Sequence, residues 1–299
     1  MVSIFEPAIA RRDATGIEEA PPHSFKSFWP EVRRGYSFRN RQRYLEFMRT
    51  CDGRIYVLQD PGSPEPPFAL VGNWRSHGDI RALWHLKGHG DARELLARGV
   101  AARSFEEGAS LFVTRPLEEG EAEEFRGWGF TPLYRIVLLE RRPRRVEEKD
   151  TGGGGVKFIR FHRRHLQEVL ELDSAAFDVF WRLDRLTLDA VASSCARNLF
   201  LLARGRDRLD GYAIGGVNGR FGYLQRLGVR AGRQGEGIGE ALARRLISAL
   251  TAMGAGVICV NTQEENLAAR SLYRKLGFEE MPHRRLIMGR TPDGAGWDR

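Results

Sequence analysis

An α+β fold in two similar lobes is what this 299-residue sequence predicts, on three observations. Apolar runs of strand length alternate with segments of helical period. Four glycines, Gly152 to Gly155, divide the chain into near-equal halves. The pattern aromatic-Arg-x-x-Gly-Phe occurs once in each half, at Phe125-Arg126-Gly127-Trp128-Gly129-Phe130 and at Tyr273-Arg274-Lys275-Leu276-Gly277-Phe278, 148 residues apart.

The divider is the simplest of the three. Glycines offer no side chain to pack, and ordering four of them costs much backbone entropy. Residues 143–156 therefore read as a linker. It separates lobes at 31–142 and 157–290, with an N-terminal extension over 1–30 and a tail over 291–299.

In the first lobe, residues 40–49 read as a helix with Asn40 as N-cap. Residues 54–59, 67–73 and 79–86 read as strands, and 91–105 as a helix capped by Asp91. A strand at 110–114, a helix at 118–126 and a strand at 133–140 follow. The second lobe reads strand 156–161, helix 163–177 with Leu166, Val169, Leu170 and Leu172 inward, and helix 187–197. Strands at 199–203, 210–217 and 221–229 come next, separated by the turns Gly205-Arg206-Asp207 and Asn218-Gly219. The lobe closes with a glycine loop, a helix at 240–253, a strand at 256–260, a short helix ended by Gly277, and a strand at 283–288. The two orders match loosely, so the chain reads as an internal duplication.

The glycine loop is Gln234-Gly235-Glu236-Gly237-Ile238-Gly239, between the strand at 221–229 and the helix. Strand, glycine loop and helix aim several backbone N–H groups at one spot, at the positive end of a helix dipole. Such a spot binds phosphate oxygens. The loop lacks the Gly-Lys-Ser/Thr ending of a P-loop. It also lacks the third glycine of a dinucleotide fingerprint, which would fall on Glu240 or Leu242. About thirty residues later comes Asn261-Thr262-Gln263-Glu264-Glu265-Asn266-Leu267-Ala268-Ala269-Arg270-Ser271-Leu272-Tyr273, running on to Gly277-Phe278.

Together these two segments resemble the acetyl-CoA site of the GNAT superfamily of N-acetyltransferases. That site has strand, Arg/Gln-x-x-Gly-x-Gly/Ala, helix, strand, then Asn-x-x-Ala-x-x-Leu-Tyr-x-x-x-Gly-Phe. Two departures occur: Ala231 stands for a proline and Gln234 for an arginine, the second being common in the family. The resemblance covers about residues 157–290 and implies, in each lobe, a mixed, mostly antiparallel sheet flanked by helices. It implies acetyl-CoA as cosubstrate, no metal, and direct attack of an amine on the thioester. Backbone groups of Leu227 and Val229 would hold the pantetheine arm and polarise the thioester carbonyl. Amides around Gln234, Gly235, Gly237, Ile238 and Gly239 would hold the pyrophosphate. Asn266 would contact the cofactor arm, and Tyr273 would protonate the departing sulfur. Plain packing, or an N-cap role for Asn266, accounts for the same residues without chemistry. The two positions where relatives carry a basic Glu are Asn261 and Gln225 here, so the general base stays open among Glu264, Glu265, Asp178, His283 and a water chain. Residues 177–184 would shape the acceptor pocket.

The first lobe has lost this chemistry. Its connection Lys87-Gly88-His89-Gly90-Asp91 is too short for the phosphate loop and sets a carboxylate where an anion would sit. Phe125 stands for Tyr273 and has no hydroxyl.

Net charge is +8, of which residues 151–299 carry +7, the half with the phosphate loop. Three scattered cysteines, Cys51, Cys195 and Cys259, suggest neither a disulfide framework nor a zinc site and point to a cytoplasmic protein. No apolar run reaches membrane-spanning length. No nucleic-acid-binding signature is present. The expectation is an N-acetyltransferase acting on a small-molecule amine or, second, a peptide or protein N-terminus. The rival is a non-catalytic acyl-CoA-binding or regulatory module.

Overall fold

The computed structural model describes residues 16–35, 38, 40–59, 65–75, 77–143, 155–294 and 297. The expected linker thus lies mostly outside the described residues, as do residues 1–15 of the expected extension.

The elements of the first half are β1 (Ile17–Glu19), α1 (Phe25–Val32), α2 (Arg41–Thr50), β2 (Arg54–Leu58), β3 (Phe68–Trp74), β4 (His77–Lys87), α3 (Asp91–Glu106), β5 (Leu111–Thr114), α4 (Glu119–Gly127) and β6 (Thr131–Arg141). Those of the second half are β7 (Lys157–Arg160), α5 (Leu166–Ala176), α6 (Arg185–Ala192), β8 (Arg197–Arg204), β9 (Leu209–Asn218), β10 (Phe221–Val229), α7 (Ile238–Ala252), β11 (Val257–Gln263), α8 (Leu267–Lys275) and β12 (Glu279–Arg290).

The chain forms two compact units, residues 1–134 with 285–299, and residues 135–284. In the first unit the strands run β1-β2-β3-β4-β5, followed by the end of β12, and only β4–β5 is parallel. In the second they run from the end of β6 through β11-β10-β9-β8-β7, and only β10–β11 is parallel. Both sheets are mixed and mostly antiparallel, as expected.

In the second unit, side chains alternate across the sheet with the two-residue strand period. Ala213 and Val217 of β9 face Leu242, Leu246 and Leu250 of α7. Tyr212 and Ile214 face Val169 and Leu172 of α5 and Leu188 of α6. The charged side chains of α7 lie off this buried stripe, so the helix is amphipathic.

The duplication is visible in backbone detail. Phe130 N–H donates to Phe125 O at 3.0 Å, and Phe278 N–H donates to Tyr273 O at 3.0 Å. Gly129 and Gly277 sit at φ +85° and +79°, where a side chain would be strained. The rings of Phe125 and Phe130 lie 5.2 Å apart, those of Tyr273 and Phe278 5.7 Å. The last parallel pair is Leu83↔Thr114 in one unit and Leu224↔Val260 in the other. In each the next residue, Trp84 or Gln225, bulges out of register with the antiparallel neighbour.

Within the expected N-terminal extension, Ile17–Glu19 form β1, α1 (Phe25–Val32) begins there and runs past it, and Ile17 is wholly buried. Three strand residues and an eight-residue helix containing Pro30 are too short to show a period. Two expectations need correction. Asp91 is the first residue of α3; Gly90, at φ +50°, precedes it as the cap. The last strands are also exchanged: Ile136–Arg141 of β6 pairs with β11, while Gly289 and Arg290 of β12 pair with β5. Hydrophobic period assigns the buried face of a strand, not its partner. Asn40 does cap α2, its Oδ1 accepting from Arg43 N–H at 2.9 Å.

Candidate active site

Strand β10 creates the opening. It pairs with β11 from Phe221 to Leu224 only, although both strands run on, β10 to Val229 and β11 to Gln263. The bulge at Gln225 turns β10 away at that point. From there β10 keeps β9 as its partner, with Leu227 opposite Ala213 and Val229 opposite Gly211. One edge of residues 225–229 is thus without a strand.

The loop after β10 leads into the N-terminus of α7. Residues Ala231–Arg233 make a 3₁₀ turn, Gln234 is extended, and Gly235 and Gly237 take φ +82° and +80°. An added Cβ at either glycine would meet nothing within 4 Å, so space lies open beside the backbone. Gly237 caps α7 with no side-chain hydrogen bond. Among the described residues, the first N–H after the loop to find an acceptor is that of Ala241, which donates to Gly237 O at 3.0 Å. Among the described residues, the N–H groups of Gly235 to Glu240 donate to nothing in the chain. Six free amides at the positive end of a fifteen-residue helix form an anion cradle. Glu240 would oppose an anion there, but Arg244 at 2.9 Å and Lys275 at 2.6 Å pair with it. The Lys275 hydrogen bond above all holds its carboxyl below the usual range. Gln234 is exposed, its Nε2 donating to Val229 O at 3.2 Å.

Tyr273 lies on α8, which Asn266 caps through Oδ1, accepting from Ala269 N–H at 3.0 Å. The Tyr273 ring is 5% exposed. Its hydroxyl has no hydrogen bond among the described residues. Burial pushes its pKa upward, and the charge of Arg226 acts in the other direction. The phenol therefore keeps its proton through the neutral range.

Arg226 and its partners had not been expected from the sequence. Arg226 Nε and Nη2 donate to Asp173 Oδ2 at 2.9 and 2.6 Å, Nε to the Tyr212 hydroxyl at 3.2 Å, and Nη2 to Trp181 O at 2.9 Å. Tyr212 also donates to Asp173 Oδ2, and Leu183 N–H to Oδ1 at 2.7 Å. The guanidinium carbon stands 3.4 Å above the Phe177 ring. Gly228 makes room for this packing, because a Cβ there would come within 2.6 Å of the Tyr212 ring. The available signal was a charged residue at an inward position: Asp173 follows Leu172, and both are fully buried on α5.

The open question of the base has a structural side. Gln225 donates through Nε2 to Ser194 Oγ and lies 3.3 Å from Cys195 Sγ, while its Oε1 is enclosed without a hydrogen-bond partner. Asn261, Glu265, Asp178 and His283 are exposed. Glu264 pairs with Arg284 at 3.3 Å. Asp178 accepts from Trp181 N–H at 3.3 Å, which fixes the start of the 179–181 turn. Among the described residues, no group of three or more His, Cys, Asp or Glu side chains could hold a metal ion.

Residues 166–278 match the acetyltransferase (GNAT) family. A mycothiol acetyltransferase from Thermobifida fusca is 27% identical over 96% of this chain and 93% of its own length. Among solved structures, a tandem GNAT protein from the clavulanic acid biosynthesis pathway matches 94% of this chain and 99% of its own, with TM-score 0.65 and 12% identity. A GCN5-related N-acetyltransferase from Sphaerobacter thermophilus matches 92% of this chain and 95% of its own, with TM-score 0.57 and 15% identity. At such identities the structures speak for the fold.

Proposed function

We propose that this chain, whose residues 166–278 match the acetyltransferase (GNAT) family, transfers an acetyl group from acetyl-CoA to a primary amine. One observation carries the reading. The free edge of β10, the six unpaired amides of the α7 loop and the unbonded hydroxyl of Tyr273 belong to consecutive segments of one unit. They match the needs of a thioester donor with a pyrophosphate tail.

The amides at Gly235, Gly237, Ile238 and Gly239 would take the phosphate oxygens, and Glu236 and Glu240 contribute backbone N–H groups to the same cradle. The edge of β10 at Leu227 and Val229 would hold the amide-bearing arm by strand-like hydrogen bonds. It would also stabilise negative charge developing on the thioester carbonyl oxygen. The acceptor nitrogen forms a bond to the carbonyl carbon, the carbon–sulfur bond breaks, and the nitrogen loses a proton. Tyr273 supplies a proton to the sulfur and regains one from solvent. The amide nitrogen of Asn266 stays available to the arm while its Oδ1 caps α8. Among the described residues, Asp178 and Glu265 are exposed and Glu264 is paired with Arg284, so the amine would reach the site neutral or lose its proton to water. The rate should then rise with pH until the amine is free.

A small-molecule amine is the preferred acceptor and a peptide N-terminus the second. A relative that matches nearly the whole chain is a mycothiol acetyltransferase, which supports that order. No helix among the described residues is long and apolar enough to cross a membrane. With Cys51, Cys195 and Cys259 all outside disulfides, the reading puts the activity in the cytoplasm.

Calorimetric titration of acetyl-CoA into the wild type and into Gly237→Glu tests the reading. The expected result is one site per chain, lost in the variant, whose carboxylate fills the open space of the cradle. Thiol release is then followed over a panel of amines. Binding without transfer to any amine would favour a non-catalytic acyl-CoA-binding module. No binding would remove the acetyl-CoA reading.

A further inference from the structure

We propose that Arg226 reads the acceptor: the free edge of its guanidinium donates to an uncharged oxygen, hydroxyl or carbonyl, carried near the amine that is acetylated. The inference rests on the acetyltransferase reading above and names the substrate class of the same site.

Two of the three guanidinium nitrogens are committed. Nε and Nη2 bind Asp173, Tyr212 and the Trp181 carbonyl. Nη1 has no hydrogen bond among the described residues, and it is not enclosed. The side chain is 10% exposed, and its partner Asp173 is 0% exposed. A nearly buried arginine thus keeps two N–H donors that no group among the described residues accepts. It does so at the first residue past the bulge, on the stretch of β10 that β11 leaves unpaired.

The class of acceptor follows from charge. Asp173 already matches the guanidinium, so the pair is neutral as a unit. An acceptor carboxylate would bring a second anion close to Asp173 where water is scarce, and like charges there repel strongly. A hydroxyl or amide carbonyl accepts from Nη1 without that cost. Phe177, under the guanidinium, fixes its plane and leaves the donor edge in one direction. The favoured acceptors are therefore amino alcohols, amino sugars or aminoacyl amides, ahead of plain alkylamines and of free amino acids.

The test compares acetyl transfer by the wild type and Arg226→Lys across four matched amines: an alkylamine, an amino alcohol, an amino-acid amide and the free amino acid. Lysine keeps a cation beside Asp173 but loses the planar donor edge. The loss of kcat/KM for the amino alcohol and the amide should exceed the loss for the alkylamine by about 10- to 100-fold, carried mainly by KM. Equal losses across the panel would mean that Arg226 only supports the fold, and would overturn the inference. A wild-type preference for the free amino acid would overturn it too. Should Arg226→Lys fail to fold, the double variant Asp173→Asn with Arg226→Gln retains a neutral hydrogen-bonding pair and must show the same selective loss. A wild type that binds acetyl-CoA but acetylates none of the four refutes the transferase reading itself, before any variant is compared.

Discussion

Replacing Tyr273 by Phe removes one oxygen from a ring that is otherwise held by packing. The Tyr273 hydroxyl has no hydrogen bond among the described residues, and the ring touches Phe278 at 5.7 Å. In the other unit Phe125 packs on Phe130 at 5.2 Å with no hydroxyl at all. Folding stability should therefore change by no more than about 0.5 kcal/mol. Acetyl-CoA affinity should also hold, because the cradle is made of backbone. The chemical step should suffer. A positioned general acid contributes roughly 10²- to 10⁴-fold. Burial raises the Tyr273 phenol well above its ordinary value, whereas an ordinary thiol sits near 8.5, so the phenol is the weaker acid and its driving force is small. That argues for the lower end, a fall of about 10²-fold in kcat with KM little changed. The assay is thiol release at saturating acetyl-CoA, with calorimetry for affinity and thermal unfolding as the control. A variant with wild-type kcat would refute the acid role. A variant that lost acetyl-CoA binding would show that the hydroxyl holds the donor instead.

Two other outcomes follow from packing and charge. Gly228→Ala drives a Cβ to within 2.6 Å of the Tyr212 ring, so overpacking should cost about 1–3 kcal/mol in urea unfolding and disturb Arg226; an unchanged midpoint would mean that Tyr212 has room to move. His85, stacked on Phe68, is held down to about 4 by burial first and then by the charge of Arg115. Below its ordinary value of about 6.5 the unfolded chain binds a proton that the folded chain refuses, so stability falls as pH drops from about 6.5 toward 4 and then levels. Discounted for partial exposure, the loss is about 2–3 kcal/mol. His85→Gln should shrink the difference between urea midpoints measured at pH 7 and pH 4.5. An identical difference in the two proteins would clear His85 of the effect.

The local chemistry of the second half was legible from the order of its residues. The limits of β10 are those read from its apolar run, and α7 begins at Ile238, two residues before the expected 240 and directly after the glycine that caps it. These were legible because glycine at positive φ, an apolar period and an Asn cap act over a few residues, where chain order and spatial order agree. The duplication was legible for the same reason, through the aromatic-Arg-x-x-Gly-Phe turn at the end of α4 and of α8. Tertiary structure alone decided partners. That Ile136–Arg141 pairs with β11, and Gly289 with Val113 of β5, depends on contacts between segments more than a hundred residues apart, and no period encodes such a choice. It likewise brought together Asp173, Tyr212 and Arg226, three polar residues on a helix and two strands. Each alone looked like an exception to its apolar run. Only as a set do they satisfy one another's charge and hydrogen bonds, and only the fold makes them a set.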